Sequence, residues 1–461
     1  MESNKKNIIS ELFELCSIPS VSGKEAGDTP FGKYPDKAMR KACELAERYG
    51  MKTEIRSDRG YAVCSLGDGE KSIAVMGHVD VVPPGDDWTV TSPFEPVEKD
   101  GFLFGRGVSD DKCGVIAGIY VQRAKKELGL PIKSKLLTVI GACEETGMED
   151  INNFAADNET PDLTMVADAG FPVCRCEKDI SDVVIRSLRP FEDVKELAGG
   201  TVRNAVAGKA FARFENKKGF KDALAKLCKA EPRLKLSEEN GELVLRAEGM
   251  TAHAAHPEGS VNAIAMLTKA LSGCEVLSES DRKTLSAVAK AASDHYGSGA
   301  YVNADDADTG KLTCVCGLAS TENGKLVLDF NIRVCRASNR EKVVGGFTRF
   351  CGEAGFEITY VRYNEGYYRP SDDPCLNALL DAYKEVTGKF DAVPYVMGGG
   401  TYARYIKNAV AFGPGGAHPA WLPAGHGGAH EPDEAMGVDE LLSAIKIYIL
   451  AAVSADKALN G

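Results

Sequence analysis

Positive charge is in deficit along this chain: 55 Lys and Arg stand against 67 Asp and Glu, a formal net charge of −12 with a pI of about 5.3. Such a balance disfavours functions built on attraction to a phosphate backbone or an anionic membrane surface. No basic cluster interleaved with aromatic residues offers a local exception. Long apolar runs are missing too, and none would span a bilayer. The chain starts with polar Met1–Lys6 and amphipathic Ile8–Leu15, without a signal-peptide apolar stretch, so a cytoplasmic location is expected. A dense cysteine framework is also absent. The 14 cysteines are scattered, and most read as buried, reduced small hydrophobes. Cys174-x-Cys176 and Cys314-x-Cys316 set thiols on one face of a strand. Neither has a matching pair at zinc-finger spacing, which argues against structural zinc. No short repeat or low-complexity tract is present.

What is there is a folded chain of 461 residues, 44% hydrophobic and 26% charged, long enough for two or three units. Helical patterns over Lys5–Cys16 and Asp36–Tyr49 flank a polar, glycine-containing segment running to Tyr34. Apolar runs at Tyr61–Leu66, Ile73–Met76, Leu136–Cys143 and Leu163–Ala167 read as strands, with a long helix over Gly114–Glu127 between two of them. Strands alternating with helices predict an α/β unit, a mostly parallel sheet flanked by helices. After Pro172 the texture becomes α+β. Strand-like runs appear at Val183–Ile185, Ala210–Phe214, Leu243–Ala247, Leu312–Leu318 and Lys325–Val334, with helices at Phe220–Lys229 and Ala263–Leu271. The earlier style returns with a helix over Cys375–Thr387, a short apolar strand, two glycine-rich loops and a final helix over Asp439–Ala455. The expected organisation is a catalytic, metal-binding domain from residues 1–179 and 365–461, interrupted by an inserted lid domain over 180–364.

The chemistry gathers at strand ends. His78 and Asp80, directly after Ile73–Met76, point the same way in an extended strand, so an imidazole able to hold a metal sits beside a carboxylate able to orient it. Asp110-Asp111-Lys112 opens the long helix, Glu144-Glu145 follows the strand ending in Cys143, and Asp168-Ala169-Gly170 closes the run Leu163–Ala167. Each has a plain structural explanation: a polar strand edge, a helix N-cap, a solvated loop, a turn. Together they do not, because parallel strands bring their carboxyl ends to one crevice. So many carboxylates call for cationic compensation, which a pair of divalent ions would supply. A second imidazole is available in Gly425-His426-Gly427-Gly428-Ala429-His430-Glu431-Pro432-Asp433-Glu434, or at His418.

In this order, His78-x-Asp80, Gly105-Arg106-Gly107 with Asp110-Asp111-Lys112, Glu144-Glu145, Asp168 and His430-Glu431 resemble the motif series of the co-catalytic metallopeptidases. That family contains aminoacylases, carnosinases, glutamate carboxypeptidases and peptidase V type dipeptidases. The peptidase V branch is the most similar, through Asp168 with Phe171-Pro172, through Gly398-Gly399-Gly400-Thr401-Tyr402-Ala403-Arg404 and through the large insert. The resemblance implies that His78, Asp110 and Asp168 hold one metal and that Glu145 and His430 hold the other, with Asp110 bridging. It further implies that Asp80 orients His78, that Glu144 is the general base acting on a metal-activated water, and that the Asp110–Asp111 peptide is cis. Zinc is the first expectation, with manganese or cobalt as alternatives. Cys143 and Cys113 depart from the family pattern, standing where an acid and a glycine are common.

In the insert, Thr251-Ala252-His253-Ala254 followed by Val261-Asn262-Ala263 resembles the segment that offers a histidine to the substrate carbonyl, so His253 would donate to the oxyanion. His256 fits less well and reads as a surface histidine. Asn204 and Arg333 match positions that hold the substrate's terminal carboxylate, a task suited to a guanidinium fork. Gly399, Gly400 and Thr401 have backbone amides free to approach an anion, and the lysine of a phosphate-binding P-loop is absent. An insert of roughly 180 residues exceeds a simple dimerisation domain. It could present His253 within one chain, so a monomer is expected, with a dimer as the alternative. The expected activity is hydrolysis of small unblocked dipeptides. An N-acyl amino acid deacylase or desuccinylase of the same architecture, and a non-catalytic metal- or peptide-binding protein, are the alternatives.

Overall fold

The structure is a computed structural model describing residues 4–23, 27–416 and 418–461. Met1–Ser3 of the polar N-terminus and Lys24–Ala26 of the polar segment before Tyr34 lie outside the described residues. Contacts divide the chain into two compact units. The first is Met1–Glu177, Tyr367–Val396 and Gly400–Gly461; the second is Lys178–Gly366 with Met397–Gly399.

The first unit is built on a six-stranded sheet. Its strands include β1 (Lys52–Arg56), β2 (Tyr61–Leu66), β3 (Ser72–His78), β4 (Lys135–Gly141) and β5 (Leu163–Val166), in the order β1-β2-β4-β3-β5 and then Ala409–Ala411. The β4–β3, β3–β5 and β5–Ala409–Ala411 pairs are parallel, while β1–β2 and β2–β4 are antiparallel. The sheet is therefore mixed, with its parallel part at the strands that carry the motifs. Every residue of β3 from Ile73 to His78 is buried, as expected of a strand covered on both faces. Flanking helices include α1 (Lys5–Cys16), α2 (Lys33–Arg48), α3 (Lys112–Leu128), Pro374–Thr387 and Val438–Asn460. Ile73, Val75, Leu136 and Met165 share one core with Val115, Ile116 and Ile119 of α3. Fully buried Lys112, at the start of α3, donates to the carbonyls of Leu15 and Ile18, each at 3.0 Å, joining the end of α1 to α3.

Register places the site. His78 pairs with Gly141 of β4, and Met76 pairs with Val166 of β5. The residues just beyond these ends (Val79 and Asp80, Ala142 to Glu145, Ala167 and Asp168) thus emerge at one edge of the sheet.

The second unit holds an eight-stranded antiparallel sheet. Its strands are β6 (Asp179–Ser187), β7 (Val194–Gly199), β8 (Lys209–Glu215), β9 (Leu234–Glu239), β10 (Glu242–Glu248), β11 (Thr313–Glu322), β12 (Lys325–Val334) and β13 (Phe356–Asn364). Their order is β9-β10-β8-β7-β11-β12-β6-β13. The helices Phe220–Ala230, Ala263–Ser272, Glu279–Ala291 and Arg340–Ala354 accompany the sheet. Asn262 caps Ala263–Ser272 by accepting from the amides of Ile264 and Ala265. The α+β character matches the sequence pattern, but the helices Glu279–Ala291 and Arg340–Ala354 are additions to it. Glu279–Ala291 offers only Leu285 and Val288 as large apolar residues, and Arg340–Ala354 carries Gly345 and Gly346 mid-helix, so the apolar period and the helix propensity are both thin.

Candidate metal centre

His78, the last residue of β3, is fully buried. Its Nδ1 lies 2.9 Å from the Asp80 carbonyl oxygen and 3.4 Å from Asp80 Oδ1. Donation from Nδ1 to that carbonyl leaves Nε2 turned toward Asp110 Oδ1, 3.1 Å away. Orientation of the ring therefore falls chiefly to the Asp80 main chain. The Asp80 carboxylate accepts from the amides of Glu144 (3.1 Å) and Glu145 (3.2 Å), and so holds the turn carrying both glutamates. Asp150 holds the residues just before this turn, accepting from the amides of Ala142 and Cys143 at 2.6 and 2.7 Å.

Asp110 stands between the two imidazoles. One oxygen faces His78 and the other lies 3.0 Å from His430 Nε2, which is also 3.2 Å from Glu145 Oε1. One ligand atom each from His78, Asp110 and Glu145 lies within 4.8 Å of the others, and the same holds for His78, Glu144 and Asp168. All six residues at positions 78, 110, 144, 145, 168 and 430 thus gather at one edge of the sheet. Glu144, expected as the base, is grouped with His78 and Asp168. The Asp110–Asp111 peptide is cis. Asp111 sits at the N-cap position of α3 without capping it. Its buried carboxyl accepts instead from the His78 amide at 3.3 Å. A Cβ added at Gly77 or Gly114 would come within 2.4 Å of that carboxyl, so both positions need glycine.

The electrostatics of this edge are unbalanced. Burial, then the charge of Asp168, push Glu144 well above the usual carboxylate range; burial, then Asp110, do the same to Asp168. Burial opposes the charge of Asp110, yet His430 and His78 hold its carboxyl below that range. Burial would likewise hold His78 down, but Asp110 and Asp80 raise it well above the ordinary imidazole value. Asp110 and Glu145 push His430 up to about 10. Imidazoles that must keep their protons and carboxyls that resist losing theirs describe a site short of positive charge. The donor set of imidazole nitrogens and carboxylate oxygens suits zinc, manganese or cobalt, so these residues fit divalent metal ions. The Cys143 thiol is pushed up to about 11 by burial, and burial raises Cys113 as well, so neither is a ready thiolate beside the site.

The loop carrying His430 is clamped by the acids that follow it. Buried Glu434 pairs with Arg106 at 2.7 Å and accepts from the amides of Gly107, Ser109 and Asp110 at 3.1, 2.9 and 3.0 Å. Asp433 accepts from the amides of Thr89 and Val90, from Thr89 Oγ1, and faces His426 Nδ1 at 2.9 Å. Glu434 therefore ties the segment bearing Asp110 to the segment bearing His430. Sequence reasoning singled out neither acid. The signal, in hindsight, was two acids three and four residues after a candidate ligand on a loop.

The other expected site residues divide between the units. Thr401 donates from both its amide (3.1 Å) and its hydroxyl (2.7 Å) to Glu177, which also pairs with buried Arg404 at 3.1 Å. The anion that Thr401 meets is the chain's own. A Cβ at Gly400 would strike the Arg404 guanidinium. Gly399 belongs to the second unit, together with Asn204, His253 and Arg333. The carbonyl of exposed Asn204 accepts from the Ala254 amide at 2.8 Å, and Ala205 pairs with His253 across a short bridge. His253 Nδ1 accepts from the Ala255 amide at 3.2 Å, so the neutral ring carries its proton on Nε2 and can donate from there. Burial, then the charge of Arg333, lower the His253 pKa and favour that neutral ring. His256, read as a surface histidine, is exposed.

The chain is 29% identical over 462 residues to a putative dipeptidase, YtjP, of Bacillus subtilis (strain 168), covering 97% of this chain and 96% of that one. It is also 29% identical over 465 residues to a Beta-Ala-Xaa dipeptidase of Lactobacillus delbrueckii subsp. lactis, covering 97% and 95%. In fold it resembles the aminoacylhistidine dipeptidase of Vibrio alginolyticus, with a TM-score of 0.58 at 14% identity, over 98% of this chain and 96% of that chain. Residues 74–454 match the model of peptidase family M20/M25/M40, and the chain belongs to that family.

Proposed function

We propose that this chain is a dipeptidase that hydrolyses small, unblocked dipeptides with the help of two divalent metal ions. The observation that carries the reading is Asp110, whose two carboxylate oxygens lie 3.1 and 3.0 Å from imidazoles contributed by opposite ends of the chain. A carboxylate so placed suits a bridging ligand. His78 and Asp168 would complete one metal's set, and Glu145 and His430 the other's. Bound there, divalent ions would act as Lewis acids on the scissile carbonyl and make a water acidic enough to attack it at neutral pH.

The chain's own residues do the rest. Glu144, held by its amide against Asp80, takes the proton of the attacking water and returns it to the departing amine. His253, neutral and protonated on Nε2, donates to the developing oxyanion. Arg333 grips the terminal carboxylate of the dipeptide, with Asn204 alongside, and Gly399 and Gly400 offer backbone to the same end. Of these residues, Asn204, His253 and Arg333 all belong to the unit Lys178–Gly366. The names of the relatives, dipeptidase in both cases, support the substrate class. Assaying dipeptides beside N-acetyl and N-succinyl amino acids tests it: dipeptides should be cut, and hydrolysis of the acylated amino acids alone would contradict the reading.

A further inference from the structure

The second unit buries a run of polar side chains across two adjacent strands. In the antiparallel pair of β12 and β6, Asn331 stands directly opposite Asp182, and Arg333 stands opposite Ile180. Alternation along β12 puts Asn331 and Arg333 on one face. All three polar residues are inside: Asp182 is 0% exposed, Asn331 1% and Arg333 5%.

The hydrogen bonds give this run a direction. Asn331 Nδ2 donates to Asp182 Oδ1 at 2.7 Å, and Asn331 Oδ1 accepts from Arg333 Nε at 2.9 Å. The reversed amide would set oxygen against carboxylate and NH2 against guanidinium, so chemistry allows one orientation only. Asp182 is anchored in turn. Arg203 reaches its Oδ2 at 2.9 Å, Arg362 reaches the same atom at 2.7 and 2.6 Å, and Arg203 also bonds Asp329 at 2.7 Å. Arg333 Nη1 donates to the Gly398 carbonyl, which fixes a second edge of the guanidinium.

We propose that Asn331 is a positioning residue for Arg333, anchored by Asp182, and that this relay sets the enzyme's preference for substrates with a free terminal carboxylate. The inference rests on the reading that Arg333 takes that carboxylate. An arginine already bonded through Nε has given up its rotamer freedom in the folded protein, so the substrate need not impose that order on binding. The amide suits the task better than an acid would. A carboxylate at position 331 would aim the guanidinium equally well while cancelling its charge; a neutral oxygen aims it and leaves the charge in place. That charge is felt locally, since it helps to keep His253 neutral.

The test is a ratio: kcat/KM for a dipeptide divided by kcat/KM for the same dipeptide as its C-terminal amide. General damage to the active site cancels in this ratio, whereas mispositioning of Arg333 does not. Asn331→Leu is expected to lower it about tenfold, mainly through KM of the free acid. Asn331→Ser, which makes no steric demand, should do the same. Adding Asn331→Leu to Arg333→Leu should change nothing further. If Arg333→Leu collapses the ratio while Asn331→Leu and Asn331→Ser keep the wild-type value, the positioning role is overturned and the reading of Arg333 stands. A ratio unmoved by Arg333→Leu would overturn both.

Discussion

Two acid clusters, Asp182 with Asp329 in the second unit and the sheet edge of the first, are met in opposite ways. In the second unit, Asp182 and Asp329 are met by Arg203 and Arg362, so the chain supplies the cations that burial demands. The pairs Arg106–Glu434 and Arg404–Glu177 follow the same rule inside the first unit. At the sheet edge it fails. Among the described residues, Asp110 and Glu145 have ion-pair partners only in histidines, and Glu144 and Asp168 have none. Burying an uncompensated carboxylate costs several kcal/mol. Arginines meet Asp182, Asp329, Glu434 and Glu177. Histidines alone meet Asp110 and Glu145, and neither Glu144 nor Asp168 has an ion-pair partner among the described residues, which leaves room at that edge for a cation from outside.

The contrast can be broken at several points. The largest effect belongs to Glu144→Gln, which should lower kcat about a thousandfold while metal content by elemental analysis stays at the wild-type level. Unchanged turnover would remove Glu144 as the base. Next come paired substitutions of one matched and one unmatched acid. Asp182→Asn should destabilise the protein by about 3 kcal/mol whether or not metal is present, because Arg362 loses its buried partner and Arg203 one of its two. Asp168→Asn should weaken metal binding yet leave the chelated protein as stable as before or more so, since it removes a carboxyl whose ionised form the chain gives no ion-pair partner. Denaturant unfolding with and without chelator checks both. If the two variants behaved alike, the distinction between the clusters would collapse.

A smaller effect is expected from Glu434→Gln, which keeps the shape of the Arg106 bracket but not its charge. By loosening the segments bearing Asp110 and His430, it should weaken metal binding about tenfold in a calorimetric titration. The smallest is a pH trend in the chelated protein. His430 has a raised pKa, so its stabilising pairs are fully present below the unfolded imidazole value of 6.5 and are lost as pH rises toward about 10. Asp168 and Glu144, also raised, bind protons more tightly when folded and likewise favour the acid side. The Tm of the chelated protein should therefore fall between about pH 6 and 9. With metal bound the slope should flatten or reverse, because the ligands must then be deprotonated. A Tm that rises with pH after chelation would contradict the charge assignment.

Much of the centre was legible because it depends on local rules. Strand alternation put His78 and Asp80 on one side, and the carboxyl ends of β3, β4 and β5 had to emerge together once the strands ran parallel. The bracket around the centre was not legible, since its contacts join residues far apart along the chain: Arg106 with Glu434, Thr89 with Asp433, Glu177 with Thr401 and Arg404. Nothing in a single sequence says which acid will meet which arginine. Two readings shifted for related reasons. Thr401, on a loop that looked ready for an outside anion, is occupied by Glu177. The Asp80 carboxylate holds the Glu144–Glu145 turn as well as standing near His78. In the second unit, the opposition of Asn331 and Asp182 needed the register of β12 on β6, which the run Lys325–Val334 alone does not carry.

On the proposed reading, the sheet-edge carboxylates that no lysine or arginine meets form a seat for two divalent cations that the reaction needs. Metal content after equilibrium dialysis against zinc or manganese, measured together with dipeptide hydrolysis on the same samples, tests it most directly. Two ions per chain are expected in the wild type, with activity rising and falling with their occupancy, and a loss of both in Asp110→Asn. Full hydrolysis by a chain that retains no ion, or wild-type metal content in Asp110→Asn, would contradict the account.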